Sequence, residues 1–138
     1  MVDHLSPAER SRNMSRVKGR DTKPERLVRS LIHRMGFRFS LHRKELPGRP
    51  DIVLTRHRKL IFVHGCFWHG HPGCSRATIP STNIPFWKKK ISGNKTRDRT
   101  VRRRLGVLGW KVLVVWQCHT KNTQKLTSRL ERFLADDI

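Results

Sequence analysis

Residues 64–85 limit what this chain can fold into more than any other stretch. They are rich in His, Gly, Pro and Cys, and their apolar residues keep neither a helical nor a strand period. A structureless loop of that length is uncommon in a compact chain, because little offsets the conformational entropy lost in ordering it. Something other than an apolar core must hold it. Cys66, His71 and Cys74 lie close together within it, and Cys118, the last of 3 cysteines, follows the final apolar run. An odd number of cysteines cannot all pair within one chain, whereas a Cys3His set forms a closed tetrahedral site for Zn2+. The expected zinc ligands are Cys66, His71, Cys74 and Cys118, with His64, His69 and His119 competing for the histidine position.

The flanking segments carry clearer periods. Residues 51–54 and 60–63 are apolar runs joined by a basic turn, residues 55–59, and predict a β-hairpin inside the core. Phe37, Phe39 and Leu41 alternate with Arg38, Ser40 and His42, the mark of a half-exposed edge strand. Before them, Leu27, Val28, Leu31, Ile32 and Met35 recur at helical spacing between a cap at Asp21 or Thr22 and a stop at Gly36. Residues 6–18 read as a weaker helix, with Met14 and Val17 too thin an apolar content to anchor it. Beyond the loop, residues 86–108 predict a basic helix interrupted at Ser92-Gly93, and residues 111–116 a buried strand. A last helix places Leu126, Leu130, Phe133 and Leu134 on one face, and Trp110 and Trp116 are assigned to the core. The order α-α-β-β-β-α-β-α predicts an α/β fold with a central mixed sheet flanked by helices. A chain of 138 residues has room for one such domain, residues 1–138, with residues 1–19 as its N-terminal helical arm.

The charge decides the partner. The chain carries 31 Lys and Arg against 10 Asp and Glu, a formal net charge of +21, spread from Arg10 to Arg132 among apolar residues. A basic tail would concentrate that charge. Spread through the fold it makes a strong positive field, which a nucleic acid relieves by releasing its counterions. No apolar run approaches the roughly 20 residues that span a bilayer, and the N-terminus lacks the apolar segment of a signal peptide, so a cytosolic protein is expected.

Pro50-Asp51 opens the first strand of the hairpin, and the second strand ends at the polar His64. Restriction-type nucleases present metal ligands at the edge of such a hairpin. Their usual second element, an acid followed two residues later by Lys, is absent here, where the strand reads Phe62-Val63-His64-Gly65. The strings Pro47-Gly48-Arg49-Pro50-Asp51 and His64-Gly65-Cys66-Phe67-Trp68-His69 closely resemble the very-short-patch mismatch repair endonucleases, the Vsr family. The resemblance runs over nearly the whole chain, through Asn13-Met14, Arg20-Asp21-Thr22, Phe86-Trp87, Asn94, Arg97-Asp98-Arg99 and Leu108-Gly109-Trp110.

The resemblance implies a restriction-endonuclease-like fold and a monomeric bacterial enzyme. Its reaction would be Mg2+-dependent hydrolysis of the phosphodiester 5′ of the T in a T:G mismatch left by deaminated 5-methylcytosine. By motif, Asp51 and the backbone carbonyl of Val63 would hold Mg2+, with Glu25, His64 and His69 around its waters and His69 moving the proton. Phe67, Trp68 and Trp87 would wedge into the base stack, Met14 would probe the minor groove, and Lys90 and Asn94 would contact the mismatch and its surroundings. General mismatch-repair proteins are implied partners. Val63 stands where Thr is familiar, and the zinc loop is one residue longer than the family pattern. Two other readings compete: a zinc-ordered DNA-binding module without catalysis, and a related nuclease of different specificity.

Overall fold

The computed structural model describes residues 22–135, so the expected first helix and Met14 lie outside the described residues. Helix α1, Lys23–Arg34, starts where Thr22 accepts a hydrogen bond from the Glu25 amide at 3.3 Å, with Pro24 in the first turn. Then come strands β1 (Ser40–Leu41), β2 (Ile52–Leu54) and β3 (Lys59–His64), helix α2 (Ile84–Val107), strand β4 (Lys111–Trp116) and helix α3 (Thr123–Ala135). The sheet order is β1-β2-β3-β4. The first two pairings are antiparallel and β3–β4 is parallel, so the sheet is mixed, and the crossover over α2 is the one the element order requires.

Alternation along the strands divides the core. Ile52, Leu54, Ile61 and Val115 face Val28, Leu31 and Ile32 of α1 and Leu126, Leu130 and Leu134 of α3. Val53, Leu60 and Phe62 point the other way, onto Leu105 of α2 and Trp110. Each such side chain contributes roughly 1.5–3 kcal/mol by leaving water, so this burial, not helix propensity, holds the three helices on the sheet.

Four expectations change. The alternation at residues 37–41 yields only two paired residues, because β2 is three residues long and offers backbone partners only to Ser40 and Leu41. Phe37 and Phe39 still pack against the core, which is what their period reported. Helix α2 runs unbroken through Ser92-Gly93 for 24 residues. A mid-helix glycine costs only about 1 kcal/mol, less than the continuous ladder on either side recovers. Lys59, assigned to the turn, belongs to β3 and is 2% exposed. Its Nζ donates to the carbonyls of Phe133 at 2.8 Å and Leu134 at 3.2 Å, placing a cation at the C-terminal end of α3. Trp116 is only half-buried and belongs to neither apolar cluster, whereas Trp110 is buried as expected. Among the described residues, no helix is long and apolar enough to cross a membrane.

Candidate active site

The parallel register pairs Val63 with Val115 and His64 with Trp116, so β3 and β4 end side by side and the segments that follow them leave from one edge of the sheet. Three clusters of potential metal-binding or proton-carrying groups gather near that edge, and two of them line a cleft.

In the first, donor atoms of Cys66, His71, Cys74 and Cys118 lie within 4.8 Å of one another. The amide hydrogen bonds His69 to Gly65 and His71 to Cys66 wind the loop tightly enough to bring Cys66 and His71 together. Cys118 Sγ is 3.4 Å from His71 Nδ1, and the Cys118 amide donates to Cys66 Sγ at 3.4 Å. Trp116 stacks on the His71 ring at 4.2 Å and 12°, which fixes the imidazole. The competing histidines are engaged elsewhere. His64 and His69 stack on each other, and His119 Nδ1 accepts from the Trp116 amide at 3.2 Å and lies 2.9 Å from Arg129 Nη1. Burial pushes the Cys66 thiol up to about 11, a state that a thiophilic cation would reverse, since the ligand is the thiolate.

In the second cluster, His69 Nδ1 is 2.7 Å from Asp98 Oδ2 on α2. With Asp98 as a carboxylate, Nδ1 carries the proton and Nε2 is left to take up or release one. His64 lies against His69, ring centroids 3.8 Å apart and planes within 5°. Burial, with His69 adding to it, lowers His64 to about 3, so its imidazole is neutral at neutral pH.

The third cluster is Glu25, His42 and Asp51. Val63 N–H donates to Asp51 Oδ2 at 2.6 Å, His42 Nε2 is 3.1 Å from Glu25 Oε2, and Arg29 Nη2 lies 3.5 Å from the same oxygen. Burial and the Glu25 carboxylate beside it push the Asp51 carboxyl up from 3.8 to about 7. Two carboxylates side by side, Glu25 buried and Asp51 half-buried, repel, and a hard divalent cation with oxygen preference is the species that resolves the conflict. A stability consequence follows. The folded pKa lies above the unfolded one, so the folded state binds more protons between pH 4 and 7, and stability is lost as pH rises through that window. Without added divalent cation, Asp51→Asn is therefore expected to stabilise the protein at pH 8, on the order of a few kcal/mol, and to confer nothing at pH 4. Urea denaturation at the two pH values checks this.

Beside these groups the rings of Phe67, Trp68 and Trp87 meet edge-on or tilted, with centroids 5.1–5.9 Å apart, and the exposed Phe86 adds a fourth. Asn94 Nδ2 donates to the Trp68 carbonyl at 2.8 Å, so α2 steadies the aromatic loop. A cleft of about 900 Å³ runs between them, with Asp51, His69 and Trp68 among its walls and Lys23, Arg49, Lys90 and Arg97 also lining it. Carboxylates and imidazoles with cations around them suit a phosphodiester.

The sequence profile of DNA mismatch endonuclease Vsr matches residues 2–76, which include Glu25, His42, Asp51 and the loop from Cys66 to Cys74. The DNA mismatch endonuclease Vsr of Escherichia coli K12 is 42% identical over 142 residues, covering 99% of this chain and 90% of that protein. The chain belongs to the Vsr family of DNA mismatch endonucleases. It is also similar to the type II nicking enzyme V.XorIIP of Xanthomonas oryzae, 47% identical over 97% of this chain and 98% of that protein. V.NmeAIP of Neisseria meningitidis, another type II nicking enzyme, is 40% identical over 99% and 96%. As a Vsr-family protein the chain is a DNA endonuclease, and the reading as a binding module without catalysis falls away.

Within this Vsr-family structure, Asp51, Glu25, His64 and His69 line one cleft, and the Cys3His residues group together outside its walls. Two further residues join the site in three dimensions. Asp98 is the lone acid in the strongly basic α2, a signal legible in the sequence. His42, assigned to the polar side of an edge strand, instead adopts a left-handed backbone with φ of +47°. An L-residue pays roughly 1–2 kcal/mol for that conformation.

Proposed function

We propose that this Vsr-family endonuclease nicks one strand of duplex DNA 5′ of the T in a T:G mismatch, with Mg2+ as cofactor. The nick would open very-short-patch repair of deaminated 5-methylcytosine. The single observation that carries the reading is the meeting, in one basic cleft, of the Glu25–Asp51 carboxylates with a His69 oriented by Asp98. A mixed sheet with Asp51 at the mouth of its hairpin supports a restriction-endonuclease-like fold.

Asp51, the Val63 carbonyl and Glu25 would hold Mg2+, an oxygen set that suits it, and Cys66, His71, Cys74 and Cys118 would hold a structural Zn2+. Bound Mg2+ supplies charge stabilisation at the phosphate and a more acidic water. His69 Nε2 moves the proton, as general base toward the attacking water or general acid toward the leaving oxygen, while Asp98 holds the ring's orientation and tautomer. His64, neutral and stacked, forms one wall for the His69 ring. Phe67, Trp68 and Trp87 enter the base stack beside the mispair, which costs less there than in matched duplex. Lys90 and Asn94 flank this aromatic group on α2, and Met14 is assigned to the minor groove. The enzyme acts as a monomer on chromosomal DNA in the bacterial cytosol, with general mismatch-repair proteins as partners.

The test is a panel of duplexes that differ only in one base pair. T:G is expected to be nicked roughly 10- to 100-fold faster than matched DNA and other mispairs, and only with Mg2+ present. Because similar proteins are described as type II nicking enzymes, a second reading keeps the chemistry and changes the specificity. Equal nicking of several mispairs, or of a matched site, would establish it.

A further inference from the structure

We infer that His42 is a nitrogen ligand of the divalent-cation centre, completing with Glu25 and Asp51 a mixed nitrogen–oxygen site that binds Mn2+ more tightly than Mg2+. The inference rests on the reading that Asp51 holds the catalytic cation, and deepens it. His42 Nε2 lies 3.1 Å from Glu25 Oε2 and 3.8 Å from Asp51 Oδ1. Two ligands of one small divalent ion, each at about 2.1 Å, are separated by no more than about 4.2 Å, so both contacts fit a shared ion.

The backbone explains how the ring gets there. Strand β1 ends at Leu41, and continued alternation would send His42 to the same side as the exposed Ser40. The left-handed turn at His42 breaks that alternation and buries the imidazole, leaving its side chain 10% exposed beside Glu25 at 6% and Asp51 at 18%. Strained backbone of this kind persists where the surroundings fix it, and it concentrates at functional sites. The histidines that stack, His64 and His69, group with Asp98 instead. Among the described residues, His42 is therefore the imidazole of the carboxylate cluster.

The chemistry of that donor sets the selectivity. Mg2+ prefers oxygen and gives up its waters reluctantly, whereas an imidazole nitrogen adds affinity for the later divalent ions. An imidazole N–H that only tethers Glu25 would leave no nitrogen on the metal, and the two arrangements are distinguishable. Full-length, zinc-loaded protein without DNA is titrated with Mn2+ and followed by electron paramagnetic resonance, with pulsed measurements reading nitrogen coupling. Mn2+ bound to the unaltered protein is expected to show a directly coordinated imidazole nitrogen. In His42→Asn, chosen because Asn tolerates left-handed backbone, the coupling disappears and Mn2+ affinity falls roughly tenfold, while Mg2+ affinity measured by competition changes less than about twofold. Unfolding curves confirm that the variant is folded, and His42→Gln provides a second substitution.

A nitrogen coupling that survives in both variants, or an unchanged Mn2+ affinity, overturns the assignment of His42. Asp51→Asn separates this failure from a deeper one. If that variant loses Mn2+ while the His42 variants keep it, only the nitrogen ligand is wrong. If it binds Mn2+ as the unaltered protein does, the cation is not held by Asp51 and both readings fall.

Discussion

Replacing Asp51 with Ala, or His69 with Ala, is expected to suppress nicking of a T:G duplex by roughly 10^2–10^4-fold while leaving duplex binding nearly intact. The two groups fail for different reasons. Asp51 lies at the start of the hairpin, its carboxylate fixed by the Val63 amide at 2.6 Å, so on the proposed reading its loss would remove the oxygen that anchors a cation at the phosphate. The His69 variant would keep the cation but lose the proposed proton carrier, the imidazole held 2.7 Å from Asp98. Neither change touches the many Lys and Arg that supply electrostatic affinity, which is why gel-shift binding should persist. A time course of nick formation on labelled duplex gives the rates. Undiminished nicking by both variants would remove the catalytic assignment altogether.

The second large effect is expected at the Cys3His cluster. Cys118→Ser, or extraction with a strong chelator, should lower the melting temperature by more than about 10 °C and release the loop to proteolysis. The reason lies in what else holds residues 65–83. Apart from Cys66 they contribute no buried side chain, and their regular structure is one short 3-10 turn at Ser75–Ala77. Cys118 is the single donor of the set outside the loop, so its loss leaves the loop tied to β4 by ring contacts with Trp116 while the apolar clusters remain. Metal analysis of the unaltered protein should find about one zinc per chain. A zinc-free sample with the same unfolding curve would refute the structural role.

The pattern of what the sequence revealed follows from the range of each interaction. Helix α1, the β2–β3 hairpin, β4 and α3 are written in local periods that burial enforces, and they appear where the periods put them. Cys66, His71, Cys74 and Cys118 were legible through chemistry, since thiols and imidazoles without a partner demand one. His42 and Asp98 were harder, because their partners lie 17 and 29 residues away; nothing local distinguishes His42 from a surface group, and the one local mark of Asp98 is that it is the lone acid of α2. Lys59 was misread for the same reason: its partners, the carbonyls of Phe133 and Leu134, lie 74 and 75 residues away.

The parallel pairing of β3 with β4 also governs when during synthesis the protein becomes dangerous. A nascent chain that has reached only α2 has made Asp51 and His69, yet the strand that flanks β3, Trp116 behind His71 and the last cysteine are still to be translated. Such a distant contact closes late in folding. Ribosome-bound or truncated fragments that stop before β4 should therefore leave DNA uncut.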